Sequence, residues 1–439
     1  MIMTAQGAVQ GIDHGTYTEY RGIPYAKAPV GPLRWKAPEP AEAWEGVLQA
    51  TDFRCRCLQE DYLAPPFDKD FYSNPDYARP MSEDCLYLHI WAPNAPAEKL
   101  PVAFWVHGGA FMGGYSSEME FDGAAYCARG VILVSVEYRC NVFGFLAHPW
   151  LSAENERHIS GNYGILDQIA ALNWVYDNIG AFGGDRNRIT AFGQSAGAMS
   201  VQTMVSSPLT EGKIAGAILQ SGGSYGGGLL EDVPLEQMER YGVFFAQEMG
   251  CRSLEEMRAL STDAILKKMI AIHFRAMQKG LIPGFAMSPV IDGYVLTDGY
   301  NALMDRGEMQ DIPYLLGTTK DDIMTTPEMV KAGEHSELYQ GCIDFSRKLE
   351  ALGRKPAWVY YFDRNLPGDE LGAWHSSELW YTFGTLERCW RPWEERDFQL
   401  SRRMLDYWTN FIKTGDPNGQ ALPLWEPCTE GNRNVFALH

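Results

Sequence analysis

Gly193-Gln194-Ser195-Ala196-Gly197 sets a serine between two glycines, after a strand-like run (Ile189 to Phe192) and before a helix-like one (Ala198 to Val205). A strand–turn–helix context of this kind makes a nucleophile elbow: the sharp turn lifts the Ser195 hydroxyl above the sheet, and small flanking residues let neighbouring backbone pass close. The helix N-terminus behind the serine offers free N–H groups and the positive end of the helix dipole. A second small-residue loop, His107-Gly108-Gly109-Ala110-Phe111, follows another apolar run, Pro101 to Val106. Backbone N–H groups of Gly109 and Ala110, joined by that of Ala196, are expected to bind a developing oxyanion. His107 reads as a hydrogen-bonding residue of this loop rather than as a base.

A serine hydroxyl is a weak nucleophile. It needs a base, and the base needs an orienting acid. For an elbow serine the chain order is serine, acid, histidine. The late strand-like run Asp311 to Gly317 is followed by Thr318-Thr319-Lys320-Asp321-Asp322, so the acid is Asp321 or Asp322. His335, His375 and His439 come after it. His439 is the terminus, and His335 follows the acid directly in a weakly patterned stretch. His375 follows the last strand-like run (Trp358 to Phe362) with a loop between, where the base is expected.

These residues need a scaffold with strand ends on one edge. The chain has 439 residues, 46% hydrophobic and 21% charged, which excludes a disordered chain or a coiled coil. Apolar runs at Pro101–Val106, Val131–Val136, Ile189–Phe192, Ala215–Gln220, Tyr314–Leu316 and Trp358–Phe362 read as buried strands. Between the second and third, Ile165, Ile169, Leu172, Tyr176 and Ile179 recur at helical spacing, and Gly183-Gly184 stops the helix. Strands alternating with helices predict an α/β fold: a mostly parallel sheet with helices on both faces and ligands at the carboxyl ends of its strands. Gly7 to Ile12 and Thr16 to Tyr20 predict a small N-terminal antiparallel sheet. Leu235 to Gly250 and Ser253 to Ala271 read as helices in a cover over residues 229–280, and residues 323–350 as a helix and a loop.

Formal charge is 37 − 56 = −19, so the chain repels phosphate backbones and anionic lipid, and nucleic acid is not an expected partner. No apolar run approaches the ~18–20 residues that span a bilayer. The N-terminus shows no basic stretch followed by an apolar one, so a cytoplasmic location is expected. Nine cysteines are scattered without paired metal-ligand spacing.

Read together, the motifs resemble those of type-B carboxylesterases, the cholinesterase-like family of α/β-hydrolases. The resemblance runs along nearly the whole chain. It rests on Tyr20-Arg21-Gly22-Ile23-Pro24-Tyr25-Ala26, Ser82-Glu83-Asp84-Cys85-Leu86-Tyr87-Leu88, His107 to Phe111, Gly161-Asn162-Tyr163-Gly164 with Asp167-Gln168, and Phe182-Gly183-Gly184-Asp185. It continues through Gly193 to Gly197, Pro289-Val290-Ile291-Asp292-Gly293 and Ala373-Trp374-His375-Ser376-Ser377-Glu378. It implies one α/β-hydrolase domain over residues 1–439, Ser195 as nucleophile and His375 as base. It also implies a serine carboxylesterase working through an acyl-enzyme on a small-molecule ester, with no metal or organic cofactor. Counting from Gly317, the family's acid position falls on Asp322, where aspartate replaces the usual glutamate. An amidase, a thioesterase and a non-catalytic binding module share the same fold.

Departures from the family pattern carry further expectations. Gln194 stands where cholinesterases have a glutamate, and about Pro75 where they have a tryptophan, which argues against cationic choline esters and for uncharged ones. The segment 323–374 is short, with 375 − 322 = 53 residues from acid to histidine, so a wide, shallow site is expected. The family often bridges the Glu-Asp-Cys cysteine to an upstream one. Cys57 fits as partner of Cys85, with Cys55 as competitor. Phe111, Trp374 and Trp380 flank the site residues in sequence and are expected to line an apolar substrate pocket.

Overall fold

The computed structural model describes residues 1–60, 65–282, 284 and 287–439. Ten strands form its main sheet: β1 (Ile12–Asp13), β2 (Tyr17–Pro24), β3 (Tyr87–Pro93), β4 (Leu100–Val106), β5 (Ile132–Val136), β6 (Gly184–Gln194), β7 (Gly216–Gln220), β8 (Tyr314–Thr319), β9 (Trp358–Phe362) and β10 (Phe436–Leu438). Their spatial order is β10-β9-β8-β7-β6-β4-β5-β3-β2-β1. From β10 to β5 every pairing is parallel, and β5, β3, β2 and β1 pair antiparallel. The expected α/β-hydrolase architecture is present.

Side chains along each strand alternate between two cores, because successive Cβ atoms point to opposite faces. In β4, Val102, Phe104 and Val106 enter one core, and Ala103 and Trp105 the other. In β9, Val359 joins the first, and Trp358, Tyr360 and Phe362 the second. Both faces are covered, which is why these strands read as nearly continuous apolar runs. Helix α1 (Tyr163–Asn178) lies on the first face, with Ile165, Ile169 and Leu172 in the core, and Gly183 at φ 84° closes the short helical turn that follows it. Helix α2 (Ala196–Ser206) follows β6 directly. Helices α3 (Leu235–Met249) and α4 (Thr262–Gln278) fall within the stretch expected to be helical. Pro327–Ala332 and Glu337–Ala351 are both helical, one helix more than expected.

Three differences from the expectation have local causes. The small N-terminal sheet (Ile2–Met3, Ala8–Gln10, Val47–Gln49) is mixed: its first pairing is antiparallel, and its second recruits a later strand in parallel. The Thr16–Tyr20 stretch instead enters the main sheet as part of β2, against β3. A 20-residue helix, Glu395–Thr414, carries Leu400, Met404, Tyr407, Trp408 and Phe411 into the second core, a face that periodicity had not singled out. Among the described residues, no helix is long and apolar enough to cross a membrane.

Candidate active site

Ser195 sits between β6 and α2 with φ 56° and ψ −126°, a backbone that non-glycine residues rarely adopt. The turn is held by Ser195 N–H, which donates to Gln220 O at 2.8 Å. A Cβ on Gly197 would stand 2.0 Å from Val106 O, so only glycine lets α2 start this close to β4. Parallel pairing of β6 with β4, up to Val106 beside Gly193, also brings the loop after β4 to the serine. A Cβ on Gly108 would stand 3.2 Å from Ser195 Cβ.

That loop is tightly folded. Gly109 has φ 107°, and Ala110 and Phe111 follow at 57° and 56°. A Cβ on Gly109 would meet Gly113 O at 2.2 Å. Asn141 N–H donates to Phe111 O at 2.6 Å, its side-chain amide to Met112 O at 3.2 Å, and Met287 N–H to Ala110 O at 3.2 Å. These bonds fix the carbonyls on one side. Among the described residues, no hydrogen bond is donated by the N–H of Gly109, Ala110 or Ala196. Ala196 begins α2, where a backbone N–H has no partner within the helix.

Of the two adjacent aspartates, Asp322 is the one that meets His375. After β8 the chain turns so that His375 Nδ1 lies 2.5 Å from Asp322 Oδ1, with Asp322 3% exposed. Thr319 N–H donates to the other carboxylate oxygen at 2.9 Å. Burial raises this carboxyl, but the charge interaction and hydrogen bond with His375, joined by Thr319 N–H, leave it below its ordinary value. Asp321 does something different. Its N–H donates to Ala373 O, and its Oδ2 accepts from Ala373 N–H at 2.8 Å, tying the acid turn to the loop that carries the histidine.

Nε2 of His375 has a neighbour that the sequence did not pair with it. Gln194 Nε2 lies 3.3 Å from His375 Nε2. No Ser195–His375 hydrogen bond occurs among the described residues; the amide holds that position. Ser195 and His375 are 9% and 7% exposed, so both side chains lie below the surface. A separate cavity of about 460 Å³, bordered by Ser160, Leu166, Asp292 and Tyr294, contains none of these residues.

Two of the expected pocket aromatics belong elsewhere. Phe111 is completely buried against Phe145, 4.9 Å between ring centres. Trp380 is completely buried and stacked on Phe71 at 5.4 Å. Both are core residues, because neighbours in sequence of a site residue point to other faces of their turn or helix. Trp374, beside His375, packs on Phe67 and Phe71 and keeps 6% exposure.

Cys57 and Cys85 are the pair that the resemblance offers for a bridge. Both are buried free thiols, and Cys55 is free as well. Cys140 is a third buried thiol at this place, its N–H donating to Cys57 Sγ at 3.1 Å. The side chains of both Cys85 and Cys140 also bear on the Cys57 thiol.

Comparison with known proteins places the chain among ester hydrolases. The model of the carboxylesterase family matches residues 1–340 and 326–439. The para-nitrobenzyl esterase of Bacillus subtilis (strain 168) is 34% identical over 483 aligned residues, covering 100% of this chain and 94% of the relative. The fumonisin B1 esterase of Sphingopyxis macrogoltabida is 34% identical, over 96% of this chain and 83% of that protein. Among solved structures, a thermophilic PNB esterase superposes with a TM-score of 0.86 at 31% identity, covering 100% of this chain and 95% of that one.

Proposed function

The chain belongs to the carboxylesterase family and is a carboxylic ester hydrolase, and within that activity we propose that Ser195, His375 and Asp322 form its catalytic triad. The observation that carries this reading is the 2.5 Å contact between His375 and Asp322, on an imidazole whose other nitrogen faces the residue next to Ser195. Nδ1–H bonded to a carboxylate leaves the lone pair on Nε2, the tautomer a general base needs.

In this mechanism an ester carbonyl enters between the elbow and the loop after β4. The Ser195 hydroxyl displaces the Gln194 amide from His375 Nε2, gives up its proton there and attacks the carbonyl carbon. N–H groups of Gly109, Ala110 and Ala196 receive the oxyanion. Asp322 stabilises the imidazolium, which then protonates the leaving alcohol. Water repeats the sequence and releases the acid from the acyl-enzyme.

The substrate we propose is an uncharged ester. Gln194 puts a neutral amide beside the base, so this position supplies no carboxylate for a cationic alcohol. Trp374 is the one flanking aromatic left to form an apolar wall. A benzyl or aryl ester is the first choice, by analogy with the relative named for para-nitrobenzyl esters.

The test is hydrolysis of p-nitrophenyl esters of increasing acyl length, with matched anilides and thioesters, by wild type and Ser195→Ala. Ester turnover that disappears in the variant supports the reading. Faster turnover of the anilide or thioester would replace the ester assignment by that class, and turnover surviving in Ser195→Ala would remove the serine mechanism.

A further inference from the structure

We propose that Glu137 is a positioning residue for the oxyanion loop, acting through His107 by presenting a carboxyl proton to that imidazole. The inference rests on the proposed role of Gly109 and Ala110 as oxyanion donors.

The register of the sheet brings the two residues together. Val106 in β4 stands beside Val136 in the parallel neighbour β5, so His107 and Glu137 are the next residues on adjacent strands. Both are buried. His107 Nδ1 lies 2.9 Å from Gly108 O, and a carbonyl only accepts, so Nδ1 carries the proton and Nε2 the lone pair. This Nε2 is fully buried and has no hydrogen-bond partner among the described residues. Glu137 Oε2, 3.9 Å away, is equally buried and equally without one. The other oxygen, Oε1, already accepts from Ser116 N–H at 2.8 Å and Ser116 Oγ–H at 2.7 Å. That leaves Oε2 as the hydroxyl of a neutral acid, 3.9 Å from the lone pair of a neutral imidazole.

The surroundings favour both neutral forms. Burial pushes Glu137 up to about 8, outweighing the two Ser116 bonds, while Cys57 and Glu118 push the same way. Burial takes His107 down to about 4. Cys55, Cys85, Cys140, Tyr25 and Tyr138 also feel the Glu137 charge, as does the Arg79 guanidinium. The Tyr138 ring stacks on the imidazole at 4.3 Å, and Tyr138 Oη–H donates to His107 O at 2.9 Å, so the ring has little freedom to turn away.

The link to chemistry is the Gly108 carbonyl. His107 holds it, and the next two residues carry the oxyanion N–H groups at φ 107° and 57°. A backbone this strained keeps its shape only if its neighbours over-determine it. Once Glu137 ionises, a carboxylate oxygen faces the Nε2 lone pair of a neutral imidazole. The repulsion between that carboxylate and the lone pair loosens the grip on Gly108 O, and the cost falls on kcat rather than KM, because the donors matter most in the transition state.

The experiment is kcat and KM against pH, from about 6 to about 9.5, for wild type, Glu137→Gln, Glu137→Leu and Ser195→Ala. Glutamine can donate to Nε2 and accept from Ser116 but cannot ionise. The expected result is a wild-type kcat that falls through about pH 8. Glu137→Gln keeps kcat within about threefold at pH 7 and lacks that fall; Glu137→Leu loses about tenfold or more in kcat with KM nearly unchanged. An alkaline limb shared by wild type and Glu137→Gln would overturn the inference, as would full kcat in Glu137→Leu. Activity persisting in Ser195→Ala would instead strike the serine reading on which it rests, whatever the Glu137 variants do.

Discussion

The side-chain amide of Gln194 stands 3.3 Å from Nε2 of His375, the atom that takes the proton of Ser195 in the proposed mechanism. With Nδ1–H committed to Asp322, Nε2 has one lone pair, and an amide N–H and a serine O–H compete for it. In the proposed mechanism the base is therefore capped by a neutral donor until substrate draws the serine in.

Replacing that amide by a carboxylate changes the charge at hydrogen-bond range of the base. Gln194→Glu is expected to stabilise the imidazolium and move the acid limb of the kcat/KM profile up by about a pH unit or more. It should also raise turnover of cationic choline esters relative to neutral ones. Paired pH profiles on acetylcholine analogues and p-nitrophenyl acetate check both. An unmoved limb would show that the amide does not sense the base.

The two adjacent aspartates should separate cleanly. Asp322→Asn leaves the shape but disturbs the tautomer, and kcat is expected to fall by about 10⁴. Asp321→Asn keeps an oxygen to accept from Ala373 N–H and should cost less than about tenfold. Steady-state kinetics on one ester ranks them, and equal losses would refute the assignment of roles.

Gly109→Ala places a Cβ where the Gly113 carbonyl lies, at a φ that alanine resists. The loop must move, and kcat is expected to drop by about 10²–10³, the scale of one lost oxyanion donor. The Ser195 hydroxyl remains. A fluorophosphonate should therefore still label the variant, more slowly, and an unchanged kcat would exclude this loop from the oxyanion site.

Trp380 tests the corrected pocket. Truncating a fully buried tryptophan should destabilise by about 3–5 kcal/mol, so Trp380→Ala lowers the urea midpoint strongly while KM stays near wild type. Trp374→Ala should do the reverse in emphasis, raising KM for aryl esters. A KM effect confined to Trp380 would return it to the pocket.

Glu137 also predicts the sign of a pH–stability slope. In the folded protein it holds its proton to about pH 8, whereas the unfolded chain releases it near 4.5. The folded state thus binds more protons between those values, and stability falls as pH rises through that window. Urea midpoints at about pH 5.5 and 8.5 should differ less in Glu137→Gln than in wild type.

What the sequence disclosed follows how local each signal is. Gly193 to Gly197 announces itself because strand, strained serine and helix start are contiguous. Chain order pointed to His375 and narrowed the acid to Asp321 or Asp322, since each follows a strand of the parallel sheet, and the family spacing from Gly317 favoured Asp322. The pairing of Asp322 rather than Asp321 with the imidazole is a matter of which way one turn faces, and residue type does not encode that. Phe111 and Trp380 were misplaced because proximity along the chain was taken for a shared surface. His107 and Glu137 are 30 positions apart in sequence and meet only through the Val106–Val136 register. Cys57 finds Cys140 as well as Cys85 by the same route, across a fold rather than along a chain.

The most direct test of the account is to trap the acyl-enzyme. Wild type mixed with a slowly deacylating p-nitrophenyl ester should release one equivalent of p-nitrophenol in a burst, and peptide mass analysis should find the acyl group on Ser195. Ser195→Ala should show neither. A burst with the acyl group on another residue, or steady turnover with no covalent intermediate and no sensitivity to Ser195→Ala, would contradict it.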